Sequence, residues 1–368
     1  MDEFIQLCFL MLIASLSMTA ILTPYISRLA HRQNIVDRPG LHKTHHEAKP
    51  LLGGLAIFIA LVVTMAVFFV LSNLTVSTKI LSLLVGAIVL VITGLYDDIY
   101  HLKPIFKLTG QVTAALIVVL FNASYYKMFY DTFSRWNIPG AVVAVLLVGW
   151  IVLMINAFNL IDGLDGLAVG IGAIIFAAMA VINLLNGASL PLLALQLIGA
   201  GACIGFLLYN FNPASIFMGD TGSMLLGYLL ASTYIMSISG GFTGSLVLGS
   251  IFIFAYPALD TTFAIYRRLR NRTSIFKADK AHIHHILQRL GFSVRKTVII
   301  LYLVNLFFAG AAIVLLSLHL SSATLLVLGF ITVAFCFFLF RYLTAVSRQN
   351  GLQLPPRAGP GPKTAEES

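Results

Sequence analysis

Amide and acidic side chains are concentrated in one short stretch, Asn156 to Gly166, between two long apolar runs. Asn156 and Asn159 are three residues apart. Asp162 and Asp165 have the same spacing, which on a helix places both members of a pair on one face. The glycine that follows each acid predicts that a helix ends here. Oxygen ligands packed in this way suit a hard cation, so the stretch predicts a Mg2+ site.

Two adjacent carboxylates, Asp97 and Asp98, end an earlier apolar run. Neighbouring carboxylates repel each other and need a cation or hydrogen-bond donors. One of them can orient a phosphate nucleophile or accept its proton, while the other helps to hold a cation. Lys107 begins the next apolar run. It is either a point charge for a phosphate or a lysine that extends to the membrane interface.

A third acidic motif, from Phe217 to Ser223, opens another apolar run. Asp220 and Thr221 at the start of a helix can cap it. An acid at a helix N-terminus also suits a Mg2+-diphosphate, because the backbone amides there attract anions. Phe217 can stack on a base, or it can simply pack against its neighbours.

Histidines form the fourth motif, which contains His282, His284 and His285. A zinc site is not expected, because neither a His-Glu-x-x-His pattern nor a neighbouring cysteine accompanies them. His282 and His285 share a helical face and can donate hydrogen bonds to a diphosphate, whereas the alternative is a solvated polar loop. A second basic loop runs from Asp37 to Gly54, and attraction to lipid head groups explains it almost as well as substrate binding does.

The composition excludes a soluble protein. The chain has 368 residues, of which 59% are hydrophobic and 10% are charged, and apolar runs long enough to cross a bilayer recur throughout. The three cysteines lie in apolar runs without metal or redox spacing, so we interpret them as small apolar residues. The net charge of +9 favours membrane orientation over nucleic-acid binding.

The hydropathy pattern predicts an all-α polytopic membrane protein with about 11 transmembrane helices. The predicted spans are 4–27, 52–72, 78–95, 107–122, 139–156, 167–185, 190–209, 220–238, 244–265, 297–317 and 321–341. The first is interpreted as a retained helix, because it has no small-residue cleavage pattern. The domain is expected to cover residues 1–345, and the proline-rich tail, 346–368, is expected to be disordered.

Positive charges predict the orientation. Every lysine and arginine except Lys79, Lys127 and Arg135 falls in one set of alternating loops or in the tail. The positive-inside rule therefore predicts an external N-terminus and a cytoplasmic C-terminus. The acids described above, and all histidines except His319, then lie on the cytoplasmic side. This distribution indicates a site that takes a water-soluble substrate from the cytosol and a lipid substrate from the bilayer.

Two other classes of protein fit less well. A transporter of an anionic substrate predicts polar residues at the middle of the spans, but most span centres are apolar. An intramembrane aspartyl protease requires Gly-x-Gly-Asp at its second acid, but Phe217 stands where the first glycine is needed.

Taken together, the motifs resemble the polyprenyl-phosphate N-acetylhexosamine-1-phosphate transferases, and most closely their WecA/TagO branch. The resemblance covers about residues 20–300 and rests on Asp37-Arg38-Pro39, Gly53 to Ile57, Asp97-Asp98 with Lys107 and Gln111, Asn156 to Gly166, Asn210 to Ser223, and Ala278 to His285. It implies transfer of N-acetylglucosamine 1-phosphate from UDP-GlcNAc to undecaprenyl phosphate, releasing UMP. It also implies Mg2+, with Mn2+ as an alternative, and a multi-pass protein of the bacterial plasma membrane whose active site is cytoplasmic.

The resemblance also implies residue roles. Asn159 and Asp220 match the metal ligands, and Lys107 matches the phosphate anchor. Asp165 and Phe217 match positions that contact uracil, and the three histidines match the loop that closes over the sugar nucleotide. Asp97 and Asp98 match positions that handle the prenyl phosphate. Asp162 is expected to support the metal or diphosphate, and Asn156 is expected to help bind the substrate.

Several alternatives remain open from the sequence. The acceptor phosphate is largely a dianion at neutral pH, which favours direct in-line attack over a covalent aspartyl intermediate. The sugar donor can instead be UDP-GalNAc or UDP-MurNAc-pentapeptide. The product is expected to begin teichoic acid or a related cell-envelope glycan. A homodimer is a further expectation, and no nucleic-acid partner is expected.

Overall fold

The computed structural model describes residues 2–38, 47–122, 138–185, 189–237, 249, 251–272, 282–318 and 322–349. Nearly all of these residues are helical. The helices are α1 (Asp2–Arg32), α2 (Gly53–Ser72), α3 (Thr78–Tyr100), α4 (Pro104–Phe121), α5 (Gly140–Ile161), α6 (Leu167–Leu185), α7 (Leu190–Asn210), α8 (Gly219–Ser237), α9 (Ala255–Arg270), α10 (Ile283–Arg289), α11 (Val294–Ser317) and α12 (Ser322–Gln349). A short antiparallel pair, β1 (Val36–Asp37) and β2 (Lys49–Pro50), joins α1 to α2.

The helix α8 lies at the centre of the bundle. All its residues from Thr221 to Met236 are buried, and it packs against every helix from α2 to α7. A helix that is enclosed on all sides must be apolar or internally bonded around its whole circumference. Thr233 meets this need, since its Oγ1 donates to Leu229 O within the helix at 2.6 Å. The surrounding helices therefore hold the first turn of α8 in a fixed place.

Close backbone contacts fix that first turn. A Cβ atom added to Gly54 of α2 would lie 2.2 Å from the Gly222 nitrogen of α8, which is far inside van der Waals contact. The start of α2 is also hydrogen-bonded to the residues just before α8. Gly53 N donates to Phe217 O at 3.0 Å, and Gly54 N donates to Met218 O at 2.8 Å. The chain before α8 is thus held against the start of α2.

The predicted all-α membrane class is confirmed. Helices α1 to α7 and α11 are each long and apolar enough to cross a membrane, which gives eight such helices within the described residues. Helix α8 covers residues 220–237 of the predicted span 220–238, and α12 covers residues 322–341 of the predicted span 321–341. Helix α9 covers the second half of the span predicted at 244–265, whose start lies largely outside the described residues. The count of 11 crossings and their orientation stay predictions.

Several helices extend beyond their predicted spans, α5 and α12 among them. Helix α5 continues to Ile161, beyond the predicted end at residue 156, because Asn156 and Asn159 find polar partners on neighbouring helices. Helix α12 extends to Gln349, past the predicted end of its span at residue 341, and the domain boundary at residue 345 stays a prediction. The rest of the predicted tail, 350–368, lies outside the described residues.

Candidate active site

Asp98 at the end of α3 anchors the first turn of α8. Its Oδ1 accepts a hydrogen bond from Asp220 N at 2.7 Å, and its Oδ2 accepts from Thr221 N at 3.1 Å and from Thr221 Oγ1 at 2.6 Å. These amides lack partners within their own helix, because they belong to its first turn. A carboxylate from another helix therefore caps α8 and fixes the position of Asp220.

The first residue of α8 can only be glycine unless the surrounding backbone rearranges. Gly219 has a φ of +71°, which side chains rarely tolerate. A Cβ atom there would also lie 2.3 Å from Leu51 O and 2.6 Å from Asp98 Oδ2. The glycine lets the Asp98 carboxylate approach the backbone amides of α8.

Lys107 bridges two acids from different helices. Its Nζ lies 2.6 Å from Asp97 Oδ2 and 2.6 Å from Asp220 Oδ2. Asp97 Oδ1 also accepts from Leu102 N at 2.8 Å, which fixes this carboxylate at the turn between α3 and α4. The lysine is thus tied to carboxylates rather than extended into the interface, although its side chain remains 29% exposed. The cluster is therefore partly exposed at Lys107 and Asp220.

Asn159 extends from α5 to the same turn of α8. Its Nδ2 donates to Ser223 Oγ at 3.0 Å, and the amide lies within hydrogen-bonding reach of the Asp220 carboxylate. One turn earlier, Asn156 Nδ2 donates to Gln111 Oε1 of α4 at 2.7 Å. The Asn156–Gln111 pair joins α4 to α5 and sets the spacing between Lys107 and Asn159. Its predicted substrate contact stays a prediction.

Asp162 lies at the C-terminal end of α5, so Asp162 and Asp165 stand in a turn and do not share a helical face. Removal of Asp162 from water, followed by the charges of Asp220, Asp98 and Asp165, raises the pKa of its carboxyl well above the ordinary value. The structure therefore brings Asp162 into the electrostatic field of the cluster. This is consistent with a supporting role near a cation.

Asp165 holds the segment that connects α7 to α8. Its Oδ2 accepts from Asn212 Nδ2 at 2.9 Å and from Ala214 N at 3.0 Å. The same segment is fixed by Asn210, whose Oδ1 accepts from Gly166 N at 3.1 Å. Phe217 ends the segment, and its N donates to Pro50 O at 2.8 Å. Asp165 and Phe217 thus belong to one connected wall beside α8.

The histidines approach the other side of the Asp162–Asp165 turn. His284 is buried, and a Cβ atom added to Gly163 would lie 3.1 Å from His284 Nε2. Its ring is parallel to that of His282, with centroids 5.6 Å apart, and lies 4.2 Å from that of His285. Burial, followed by the neighbouring His285 ring, lowers the pKa of His284 to about 3. His284 is therefore neutral at physiological pH, and burial likewise lowers the pKa of His285.

The donor set fits a hard cation. Asp97, Asp98 and Asp220 each present one carboxylate oxygen, and these atoms all lie within 4.8 Å of one another. Both oxygens of Asp98 accept hydrogen bonds from the first turn of α8, whereas Asp97 and Asp220 each direct one oxygen at the partly exposed Lys107. Asp97 and Asp220 are therefore the better placed acids. Carboxylate oxygens are ligands that Mg2+ prefers, and the predicted contribution of Asn159 to the metal site stays a prediction.

Some of the residues that build the site were not assigned from the sequence. The sequence motifs indicate only a capping role for Thr221, and no motif includes Asp260. A single acid inside the apolar predicted span 244–265 is the signal that could have identified Asp260, because a buried carboxylate requires a partner. The basic loop 39–46, including His45, lies outside the described residues, as does Ala278 to Ala281.

Fold and site together define a polytopic membrane protein with a charged cluster at one end of its helix bundle. Residues 80–238 match the family described as glycosyl transferase family 4. The chain is 37% identical to a probable undecaprenyl-phosphate N-acetylglucosaminyl 1-phosphate transferase of Bacillus subtilis strain 168 over 83% of this chain and 84% of the relative. It is 34% identical to a decaprenyl-phosphate N-acetylglucosaminephosphotransferase of Mycobacterium tuberculosis H37Rv over 82% of each chain.

A more distant relative covers more of the chain. An undecaprenyl-phosphate alpha-N-acetylglucosaminyl 1-phosphate transferase of Escherichia coli K12 is 26% identical over 90% of this chain and 89% of the relative. The chain belongs to the polyprenyl-phosphate N-acetylglucosamine-1-phosphate transferase family. The resemblance inferred from the motifs is thereby confirmed.

Proposed function

We propose that this protein transfers N-acetylglucosamine 1-phosphate from UDP-GlcNAc to undecaprenyl phosphate, giving undecaprenyl-diphosphate-GlcNAc and UMP. Relatives named for this reaction align with more than four fifths of the chain, which supports the assignment. The single structural observation that carries it is the Lys107 bridge between Asp97 and Asp220. A phosphoryl transfer between two anionic substrates requires such a preorganised cluster of charge.

Each element of the site has a proposed role. Lys107 neutralises phosphate charge, and Asp97 orients the acceptor phosphate or takes its last proton. Asp98 positions Asp220 through the backbone of α8, because both its oxygens already accept hydrogen bonds there. Asp165 and Phe217 line the side proposed for the uracil, whereas His282, His284 and His285 line the side proposed for the sugar diphosphate.

Asp220, Asn159 and Asp97 are proposed to hold Mg2+, with Mn2+ as the alternative. Bound there, the ion would neutralise the diphosphate and polarise the bond to the leaving UMP. Asp162 is proposed to lie near the cation, whose positive charge would favour the ionised form of its carboxyl. Direct in-line attack is favoured over a covalent aspartyl intermediate, because the acceptor phosphate is already largely ionised at neutral pH.

The site is proposed to face the cytoplasm of a bacterial plasma membrane. The distribution of lysine and arginine among the loops supports this orientation. A cytoplasmic reporter fused after Gln349 should be active, and a periplasmic or external reporter at the same place should not. The reverse pattern would contradict the proposed orientation. The product is proposed to begin teichoic acid or a related envelope glycan.

The choice of sugar is tested with membranes that contain the protein and undecaprenyl phosphate. Labelled UDP-GlcNAc, UDP-GalNAc and UDP-MurNAc-pentapeptide are supplied separately, and labelled lipid is measured. We expect lipid product from UDP-GlcNAc. If only UDP-GalNAc or UDP-MurNAc-pentapeptide gives lipid product, the proposed reaction stands and the proposed sugar donor is wrong. No lipid product from any of the three would refute the proposed function.

A further inference from the structure

Asp260 on α9 is a fully buried acid that contacts the histidine segment from a distance in sequence. Its Oδ2 lies 2.7 Å from His282 Nδ1, and its Oδ1 accepts from Ile283 N at 2.8 Å. Both oxygens are therefore directed at the first two residues of one short segment. A buried carboxylate is stable only when it is paired in this way.

These two contacts replace a local helix cap. His282 is the N-cap residue of α10, and its own side chain makes no capping hydrogen bond. The Ile283 amide belongs to the first turn and has no partner within the helix. Asp260 supplies that partner from α9, so the beginning of α10 is fixed by another helix rather than by its own sequence.

The same contacts set the orientation of the histidine rings. Because His282 Nδ1 faces Asp260, Nε2 is the ring nitrogen left for another partner. The ring of His284 is parallel to the ring of His282, and it lies against Gly163 in the Asp162–Asp165 turn. The position of α10, and with it the position of His284 beside that turn, thus depends on one buried acid.

We propose that Asp260 is a positioning residue that presents the histidine segment to the diphosphate of the nucleotide-sugar donor. This inference rests on the proposed function, in which that segment binds the donor. Asp260 acts through His282 and Ile283 and does not contact the substrate. Its loss should therefore weaken use of the sugar nucleotide and leave use of the prenyl phosphate unchanged.

Asp260→Asn in the full-length protein tests this proposal. The amide keeps the size of the side chain and can still accept from Ile283 N, but it offers a donor to His282 Nδ1 in place of a carboxylate. The KM for UDP-GlcNAc should rise by about 10-fold, the order expected when a hydrogen bond to a charged acceptor is replaced by a neutral one. The KM for undecaprenyl phosphate should stay at its wild-type value.

A matched control is available on the same helix. Thr262 is exposed, and its hydroxyl donates to Ala258 O of α9 at 2.7 Å. Thr262→Val should leave both KM values unchanged. In a double variant, His282→Ala should absorb most of the Asp260→Asn effect, because the two residues act as a unit. Effects of Asp260→Asn and His282→Ala that simply multiply would overturn the proposal.

A second readout does not depend on activity. Hydrogen–deuterium exchange over residues 282–290 should accelerate in Asp260→Ala, which removes the Ile283 contact, and not in Thr262→Val. Unchanged exchange, or an equal rise in both KM values together with a lower melting temperature, would overturn the positioning role. If wild-type protein forms no lipid product, the proposed function fails instead, whatever the exchange result.

Discussion

At the level of single residues, Asp97 and Asp98 are adjacent in sequence but do different things. Asp97 contacts Lys107 at the accessible cluster, while Asp98 is bound to the backbone of α8. The sequence predicted that these two acids need a cation or hydrogen-bond donors, and in the structure both have such partners. It could not divide their roles, because the partner of Asp98 lies 122 residues further along the chain.

Removal of the Lys107 charge should abolish most of the activity. Lys107→Met keeps the length of the side chain but leaves Asp97 and Asp220 without the ammonium between them. We expect the rate of UMP release to fall by about 100-fold or more, as when one preorganised charge donor is lost. Lys103→Met, at an exposed lysine one turn earlier, is the control. Similar rates for both variants would contradict the assigned role of Lys107.

Asp98→Asn and Asp97→Asn should differ in stability. The Asp98 variant loses charge-assisted bonds to the first turn of α8, which costs about 2 kcal/mol and should lower the melting temperature. The Asp97 variant keeps an acceptor for Leu102 N and should lose activity with a melting temperature close to the wild-type value. Thermal unfolding of both purified proteins in detergent measures this difference. Equal melting temperatures would argue against Asp98 as the anchor.

At the level of helices, the site depends on how closely α2 and α3 approach α8. Gly54 shows this close approach, because a Cβ atom there would lie inside the backbone of Gly222. Hydropathy located the helices because long apolar runs leave little choice of structure. Hydropathy could not predict that α8 is the central helix, since its burial depends on packing against segments that are distant in the sequence.

Gly54→Ala should destabilise the protein and disturb the site. The added methyl group would meet the backbone of Gly222, which cannot move without displacing α8, and overpacking of this kind costs about 1–3 kcal/mol. Gly149→Ala on α5 is the matched control, because nothing lies within 4 Å of the added atom. The melting temperature should fall for Gly54→Ala and not for Gly149→Ala. Equal changes in the two variants would refute the close contact.

In mild acid, the His284→Gln variant should lose less folding stability than the wild-type protein. The folded-state pKa of His284 is about 3, below the ordinary value of 6.5, so the unfolded chain takes up a proton first. The stability of the wild-type protein is therefore full above pH 6.5 and declines as the pH falls towards the folded-state pKa. At pH 5 this decline amounts to about 2 kcal/mol, and glutamine cannot titrate.

The measurement is the drop in melting temperature between pH 7.5 and pH 5. It should be smaller for His284→Gln than for wild type. His31→Gln, at an exposed histidine in the last turn of α1, should keep the wild-type drop. A His284→Gln protein with the full wild-type drop would show that the ring is not held neutral by burial.

At the level of the whole molecule, the chain gathers acids, amides, one lysine and histidines from seven helices at one end of an apolar bundle. The motif order predicted this gathering, because alternate spans return each motif to the same side. The contact of Asp260 with His282 was not predictable in the same way. The residues that separate Asp260 from His282 in the sequence, which include 273–281, carry no pattern that links the two.

The most direct test of the central claim follows the donor β-phosphate. Purified protein in detergent is given undecaprenyl phosphate, Mg2+ and UDP-GlcNAc labelled in that phosphate. The account predicts that the label enters the lipid in a one-to-one ratio with released UMP, and that Lys107→Met forms neither product. Release of labelled UDP, with an unlabelled sugar on the lipid, would contradict transfer of a sugar phosphate.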